Sequence, residues 1–179
     1  VRTLAAAPGI DEAGARARRQ AGLELIDVEL AGWRTAHGAA IDVLLGEALE
    51  VHRDLVEDHL GDLGADLQVR FAQALAMPPG ALERARAHRR VWREELAAQL
   101  GRVDLLALPA MLGFPVRLDG DEAVMPNSAA AAVNLAGHPA LAVPVATDGP
   151  LPASLQLIGP DGSEDRLLAA GALVEAAQP

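Results

Sequence analysis

At 179 residues, 51% of them hydrophobic, the chain is long enough to bury roughly 70% of the surface its unfolded form exposes. Its formal charge of −10 repels phosphate backbones and anionic lipid, so nucleic-acid and membrane-surface binding are disfavoured. It has no cysteine and all 15 of its basic residues are arginine, which excludes disulfides, thiolate metal sites, a cysteine nucleophile and any lysine-based mechanism for this chain alone.

Only two Phe and two Trp are present, so the core relies on Leu, Val and Ile. No apolar run approaches the roughly 18 residues of a membrane span. The opening Val1-Arg2-Thr3-Leu4 lacks the basic region and apolar run of a secretion signal, and a cytoplasmic location is the expectation. The chain opens on Val, and strand character at its first residue leads us to expect further polypeptide upstream.

Val1 to Ala7 predicts a strand ending at Pro8-Gly9. Asp11 to Gly22 predicts a helix, capped by Asp11 and closed by Gly22, with Arg16, Arg18 and Arg19 in its last turns. Leu23 to Glu29 follows as a second strand, so the opening predicts a βαβ unit with parallel strands. Ile41, Leu44, Leu45, Ala48, Leu55 and Val56 recur at helical spacing along Ala39 to Leu60. Further helices are predicted over Ala65 to Ala76 and Ala81 to Leu100, the latter turning Leu82, Ala85, Trp92, Leu96 and Leu100 inward.

Asp104 to Leu108 returns to strand character, and Met111 to Pro126 is irregular. Asn127 to Gly137 predicts a short Ala-rich helix. Ala140 to Ala146 and Ala153 to Ile158 form a hairpin candidate around Asp148-Gly149-Pro150. Ser163 is expected to cap a last helix with Glu164 and Asp165 in its first turn. Helices between strands predict an α/β fold, a mixed β-sheet covered by helices, as one domain or partial domain over residues 1–179.

Three passages, in order, carry a family resemblance: Val103-Asp104-Leu105-Leu106-Ala107-Leu108-Pro109, then Val133-Asn134-Leu135-Ala136-Gly137-His138-Pro139, then Leu151-Pro152-Ala153-Ser154-Leu155-Gln156-Leu157-Ile158-Gly159. With the helix start Asp165-Arg166-Leu167-Leu168, they resemble the C-terminal portion of the amidase-signature family, sharply over about Asp104 to Ala177. The resemblance implies a serine-dependent hydrolase that cleaves a small-molecule carboxylic amide through an acyl-enzyme, without cofactor or metal. It also implies a serine nucleophile, a second serine in a cis peptide and a lysine base. The only serines are Ser128, Ser154 and Ser163, none in a Gly-Ser-Ser-Gly context. With no lysine either, the triad is expected outside this chain, which would supply sheet scaffold and one wall of the substrate cleft.

The residues expected to line that wall are Met111, Leu112, Phe114, Met125 and Asn127, near the family's acyl pocket; ordinary core packing is the competing reading. Ala110 stands where the family often has Thr. The same passages also have a structural reading. Gly137 allows a tight helix exit, Pro144 suits a strand whose N–H is not needed, and buried Gln156 requires a partner or a wet edge.

Other constellations are weaker. Ser128, His138 and Asp148 lack a nucleophile elbow, and a capping serine with a loop histidine is the simpler reading. His52 and His59 lie two turns apart, too far for a metal pair, and are read as solvated. Arg84, Arg86, Arg89, Arg90 and Arg93 form a basic helix flanked by Glu83, Glu94 and Glu95, read as ion-paired rather than ligand-binding. Asp161 to Asp165 lacks the calcium-loop pattern and is read as a helix start. The alternative to an amidase part is a non-catalytic relative acting as a binding module, paired as a homodimer or with a companion N-terminal segment through an exposed strand edge. A component of amide transfer onto aminoacyl-tRNA is a third reading within the family, with direct tRNA contact opposed by the charge.

Overall fold

Among the described residues, three short strands pair, and the middle one has a partner on each side. The computed structural model describes residues 4–116 and 128–178. The elements among them, in chain order, are α1 (Pro8–Gln20), α2 (Trp33–Val51), α3 (Arg53–His59), a 3-10 turn (Leu60–Asp62), α4 (Ala65–Leu75), α5 (Ala81–Leu100), β1 (Leu106–Pro109), α6 (Ala130–Ala136), β2 (Ala140–Val145), β3 (Ala153–Ile158) and α7 (Glu164–Ala176). The fold is α/β, a small sheet with helices on both faces.

The sheet runs β1-β3-β2, and both pairs are antiparallel. The predicted βαβ unit does not form. Residues 1–3 lie outside the described residues, and 4–7 and 23–30 are irregular. Leu23–Val28 faces Arg102–Ala107 across a cleft of about 440 Å³ instead of forming a strand. Val28 and Leu30 are buried while Leu25 and Ile26 are about half exposed. The apolar positions are therefore used for packing without making a strand, and without that parallel unit the sheet is not mixed among the described residues. The predicted hairpin does form, with Leu141 opposite Leu157 and Val143 opposite Leu155.

Main-chain direction follows from two bonds. Ala110 N–H donates to Ser154 O at 3.1 Å, and Gly159 N–H donates to Pro139 O at 3.0 Å. Even residues of β3 therefore point at β1 and odd ones at β2, so the even residues of β2 and the odd residues of β1 point outward. Pro144 and Pro109 both occupy outward positions, where a missing N–H costs the ladder nothing.

Each sheet face has its own core. On one, Leu106, Leu108 and Ile158 pack with Trp33 of α2, Trp92 and Leu96 of α5, and Val133 and Leu135 of α6. On the other, Val143, Val145, Leu155 and Leu157 pack against Ile10, Ala13 and Ala17 of α1 and Leu167 and Val174 of α7. The inward set predicted for α5 is buried throughout. Trp92 donates its indole N–H to Ala132 O at 2.7 Å and meets Trp33 edge-on at 5.7 Å.

The helix predicted over Ala39 to Leu60 starts at Trp33 and breaks at His52. Its start is set from outside, because Glu95 of α5 accepts the Gly32 N–H at 3.0 Å. Leu44 and Leu55, expected inward, are 50% and 38% exposed, whereas Val56 is buried. A stripe continued straight through His52 misplaces Leu55; Leu44 lies within α2, before the break.

Two predicted caps are also corrected. α1 begins at Pro8, with Asp11 inside the first turn, because proline's fixed φ and absent N–H suit a helix start. Ser163 donates its hydroxyl to Pro160 O at 2.6 Å and makes no side-chain cap. Gly22 does close α1 at φ +69°, with Leu23 N–H bonded to Arg18 O and Gly22 N–H to Arg19 O, a Schellman ending.

Candidate functional site

The segment after β1 carries the predicted cleft wall, and three bonds hold it. Ala129 N–H donates to Ala110 O at 2.9 Å, Met111 pairs with Ser128 in an isolated bridge, and Ala7 N–H donates to Leu112 O at 2.8 Å. The wall is thereby tied to the start of α6 and to the residue before α1.

The predicted residues then diverge. Leu112 packs against the first core. Met111 is half-buried beside Ser128. Phe114 is 38% exposed and covers Gly9, where an added Cβ would lie 3.5 Å from its ring. Met125 and Asn127 lie outside the described residues.

Phe114 lines a cavity of about 290 Å³ with Gly9, Glu12, Arg16, Pro150 and Leu151. Arg16 closes one side, donating to Ala146 O at 3.1 Å and pairing with Asp148 at 3.3 Å. No sequence signal marks this wall, because residues 9–16 and 146–151 form no shared motif and meet only through folding. Arg18, further along α1, is held below the usual arginine range by burial, with Asp11 opposing and Arg19 adding to the effect.

The other constellations are taken apart by the structure. His138 is paired through Nδ1 with Asp161 at 3.1 Å, Asp148 goes to Arg16, and Ser128 goes to the Met111 bridge. Those three residues form no relay. His52 rests edge-on against Phe71, and His59 pairs with Asp62. No cluster of metal-binding side chains occurs among the described residues.

Of the five arginines in the basic cluster of α5, Arg86 and Arg93 are ion-paired, both with carboxylates of other elements, and Arg84 donates to Pro79 O. Arg86 bridges Glu47 and Glu50, whose hydrogen bonds, Glu50 foremost, raise it above its usual range. Arg93 joins Asp161 to the end of α6 by donating to Asp161 Oδ2 and Ala136 O, both at 2.5 Å. At that end Gly137 adopts φ +73°. Gln156 is buried with no protein partner for its side-chain oxygen. No helix among the described residues is long and apolar enough to cross a membrane.

The amidase family model matches residues 47–168. A glutamyl-tRNA(Gln) amidotransferase chain from Thermus thermophilus is 38% identical over 98 residues, covering 52% of this chain and 21% of that protein. A solved chain from a vestigial protein complex linked to the origins of an s-triazine catabolic enzyme superposes with TM-score 0.83 at 24% identity, covering 96% of this chain and 40% of its own. A bacterial aryl acylamidase of the amidase-signature family superposes with TM-score 0.80 at 19% identity, covering 98% and 41%. The chain therefore spans about two fifths of the solved structures it matches and about a fifth of the curated relative. With its diagnostic passages placed on β1, α6, β2 and β3, this chain belongs to the amidase family.

Proposed function

We propose that this chain is the scaffold and cleft-wall portion of a serine-dependent amidase acting on small linear carboxylic amides. The family match over residues 47–168 carries the reading. In the proposed reaction a serine oxygen bonds to the amide carbonyl carbon, the C–N bond breaks, and the amine leaves with a proton. Water then cleaves the acyl ester to the free acid and regenerates the serine. The residues of this chain include no lysine and no serine in a signature context, so nucleophile, base and oxyanion donors come from polypeptide outside residues 1–179. Met111 and Phe114, with Met125 and Asn127, shape the wall facing the acyl group. The reaction requires no cofactor.

An arylamide such as p-nitroacetanilide tests this. The 179-residue chain alone is expected to release no p-nitroaniline above buffer, and added polypeptide carrying the serines and lysine is expected to restore turnover. Turnover that follows the isolated chain through purification and is lost in Ser128→Ala would overturn the proposal. The alternative, a non-catalytic binding module, draws on the outward main-chain groups of Ala140 and Ala142 on β2, which no described residue bonds.

A further inference from the structure

We propose that the cavity beside Phe114 binds a small organic cation, an aromatic or apolar group carrying a protonated amine. Its link to catalysis rests on the cleft-wall reading above, which it narrows to amides whose acyl part bears an ammonium group. The binding itself is a property of this chain and needs no turnover.

The walls set one half of the ligand. The cavity, about 290 Å³, lies between Gly9, Glu12 and Arg16 of α1 and the β2–β3 turn at Pro150 and Leu151, with Phe114 along it. The three α1 positions are spaced by three and four residues, which places them on one side of the helix. Gly9 brings no side chain there, and Phe114 beside it stays 38% exposed. Ligand pockets start at roughly 300 Å³, so this one suits a single ring with a short substituent.

The polar groups set the other half. Those of the turn are already engaged with each other. Thr147 donates its hydroxyl to Leu151 O at 2.6 Å and accepts the Gly149 N–H at 3.2 Å. The Arg16 guanidinium is balanced by Asp148 at 3.3 Å and donates to Ala146 O at 3.1 Å. The Glu12 carboxylate has no ion pair or side-chain hydrogen bond among the described residues. With Arg16 and Asp148 cancelling, the described lining keeps one uncompensated negative charge, that of Glu12.

That charge decides the sign of the ligand. A cation gains the Glu12 carboxylate and the attraction of an aromatic ring for positive charge. An anion meets Glu12 while Arg16 is held by Asp148, and a neutral ring gains the apolar contact alone. The net charge of −10 raises the local concentration of cations further.

The chain has two phenylalanines, Phe71 and Phe114, so labelling with 4-fluorophenylalanine gives two fluorine NMR resonances, assigned with Phe71→Leu. Phe71 packs on His52 and does not line the cavity, which makes it the internal control. Three probes share one ring and differ in charge: benzylamine, benzyl alcohol and phenylacetate. Benzylamine is expected to shift the Phe114 resonance saturably, with half-saturation on the order of 1 mM. Benzyl alcohol is expected to bind about threefold more weakly, the size of an exposed ion pair, and phenylacetate more weakly still. Added salt is expected to shrink that preference. Glu12→Gln is expected to erase it while keeping the response to benzyl alcohol. If that variant fails to fold, the charge series on the parent chain decides by itself. A Phe114 resonance unmoved by benzylamine at about fifty times the expected half-saturation overturns the proposal. So does phenylacetate binding as well as benzylamine, or a cation preference that survives Glu12→Gln. Amide turnover restored by added polypeptide, with no cation preference at Phe114, sinks the site and leaves the amidase reading standing. A cation-selective Phe114 in a chain that no companion polypeptide activates supports the site and removes that reading.

Discussion

Trp92 is fully buried, and its indole N–H closes on a carbonyl of α6 at 2.7 Å. Trp92→Phe keeps most of the apolar contact with Trp33 but leaves Ala132 O without this donor. Ala132 O keeps its helical donor, Ala136 N–H, so the loss is that of one buried hydrogen bond, about 0.5–1.5 kcal/mol. Urea unfolding is expected to show that loss, while Trp92→Ala, which opens a cavity as well, is expected to lose about 3–5 kcal/mol. A Phe variant as damaging as the Ala variant would show that the hydrogen bond, and not the packing, dominates.

Gly137 offers a second test at this scale. Its φ of +73° lies in the left-handed region, and an added Cβ would come within 3.2 Å of Arg93 Nη1. Gly137→Ala is expected to destabilise by about 1–2 kcal/mol, measured by the same unfolding curve. The glycine's role is legible in the sequence, since Gly before Pro139 at the end of an Ala-rich run already implies a tight exit. The Arg93–Asp161–His138 tie around it is not, because those side chains come from three separate elements.

At the scale of elements, legibility follows locality. The α5 helix and β3 have the predicted bounds because each is defined by its own sequence, period 3.6 in one and a short apolar run ended by Gly159 in the other. The opening βαβ unit fails, since a strand is defined by its neighbours and no local pattern contains them. The candidate wall is legible in part. Phe114 lines a cavity, Leu112 turns into the core, and the α1 side of the cavity carries no signal at all.

The start of α2 makes the same point from a helix. Gly32 has no capping side chain, so its N–H is satisfied by Glu95 from α5. Glu95→Ala is expected to cost about 1 kcal/mol and to raise amide exchange near residue 32 selectively. Uniform exchange across α2 and α5 would show that Glu95 holds the helix pair together and not the helix terminus.

At the scale of the molecule, one thin sheet separates two cores, and β3 is its middle strand. Both tryptophans lie in the first core, on α2 and α5, so their fluorescence reports that side alone. Leu155 lies in the second core, fully buried against α1 and α7. Leu155→Ala is expected to cost about 2–5 kcal/mol. If β3 couples the two sides, unfolding is one transition, and the tryptophan midpoint in urea falls by as much as the circular-dichroism midpoint. The coupling follows from geometry, because loss of Leu155 loosens the strand whose ladder bonds hold both β1 and β2 in place. A tryptophan midpoint that stays put while circular dichroism splits into two steps would mean that α2, α5 and α6 hold together without the sheet. The first core would then be an independent folding unit.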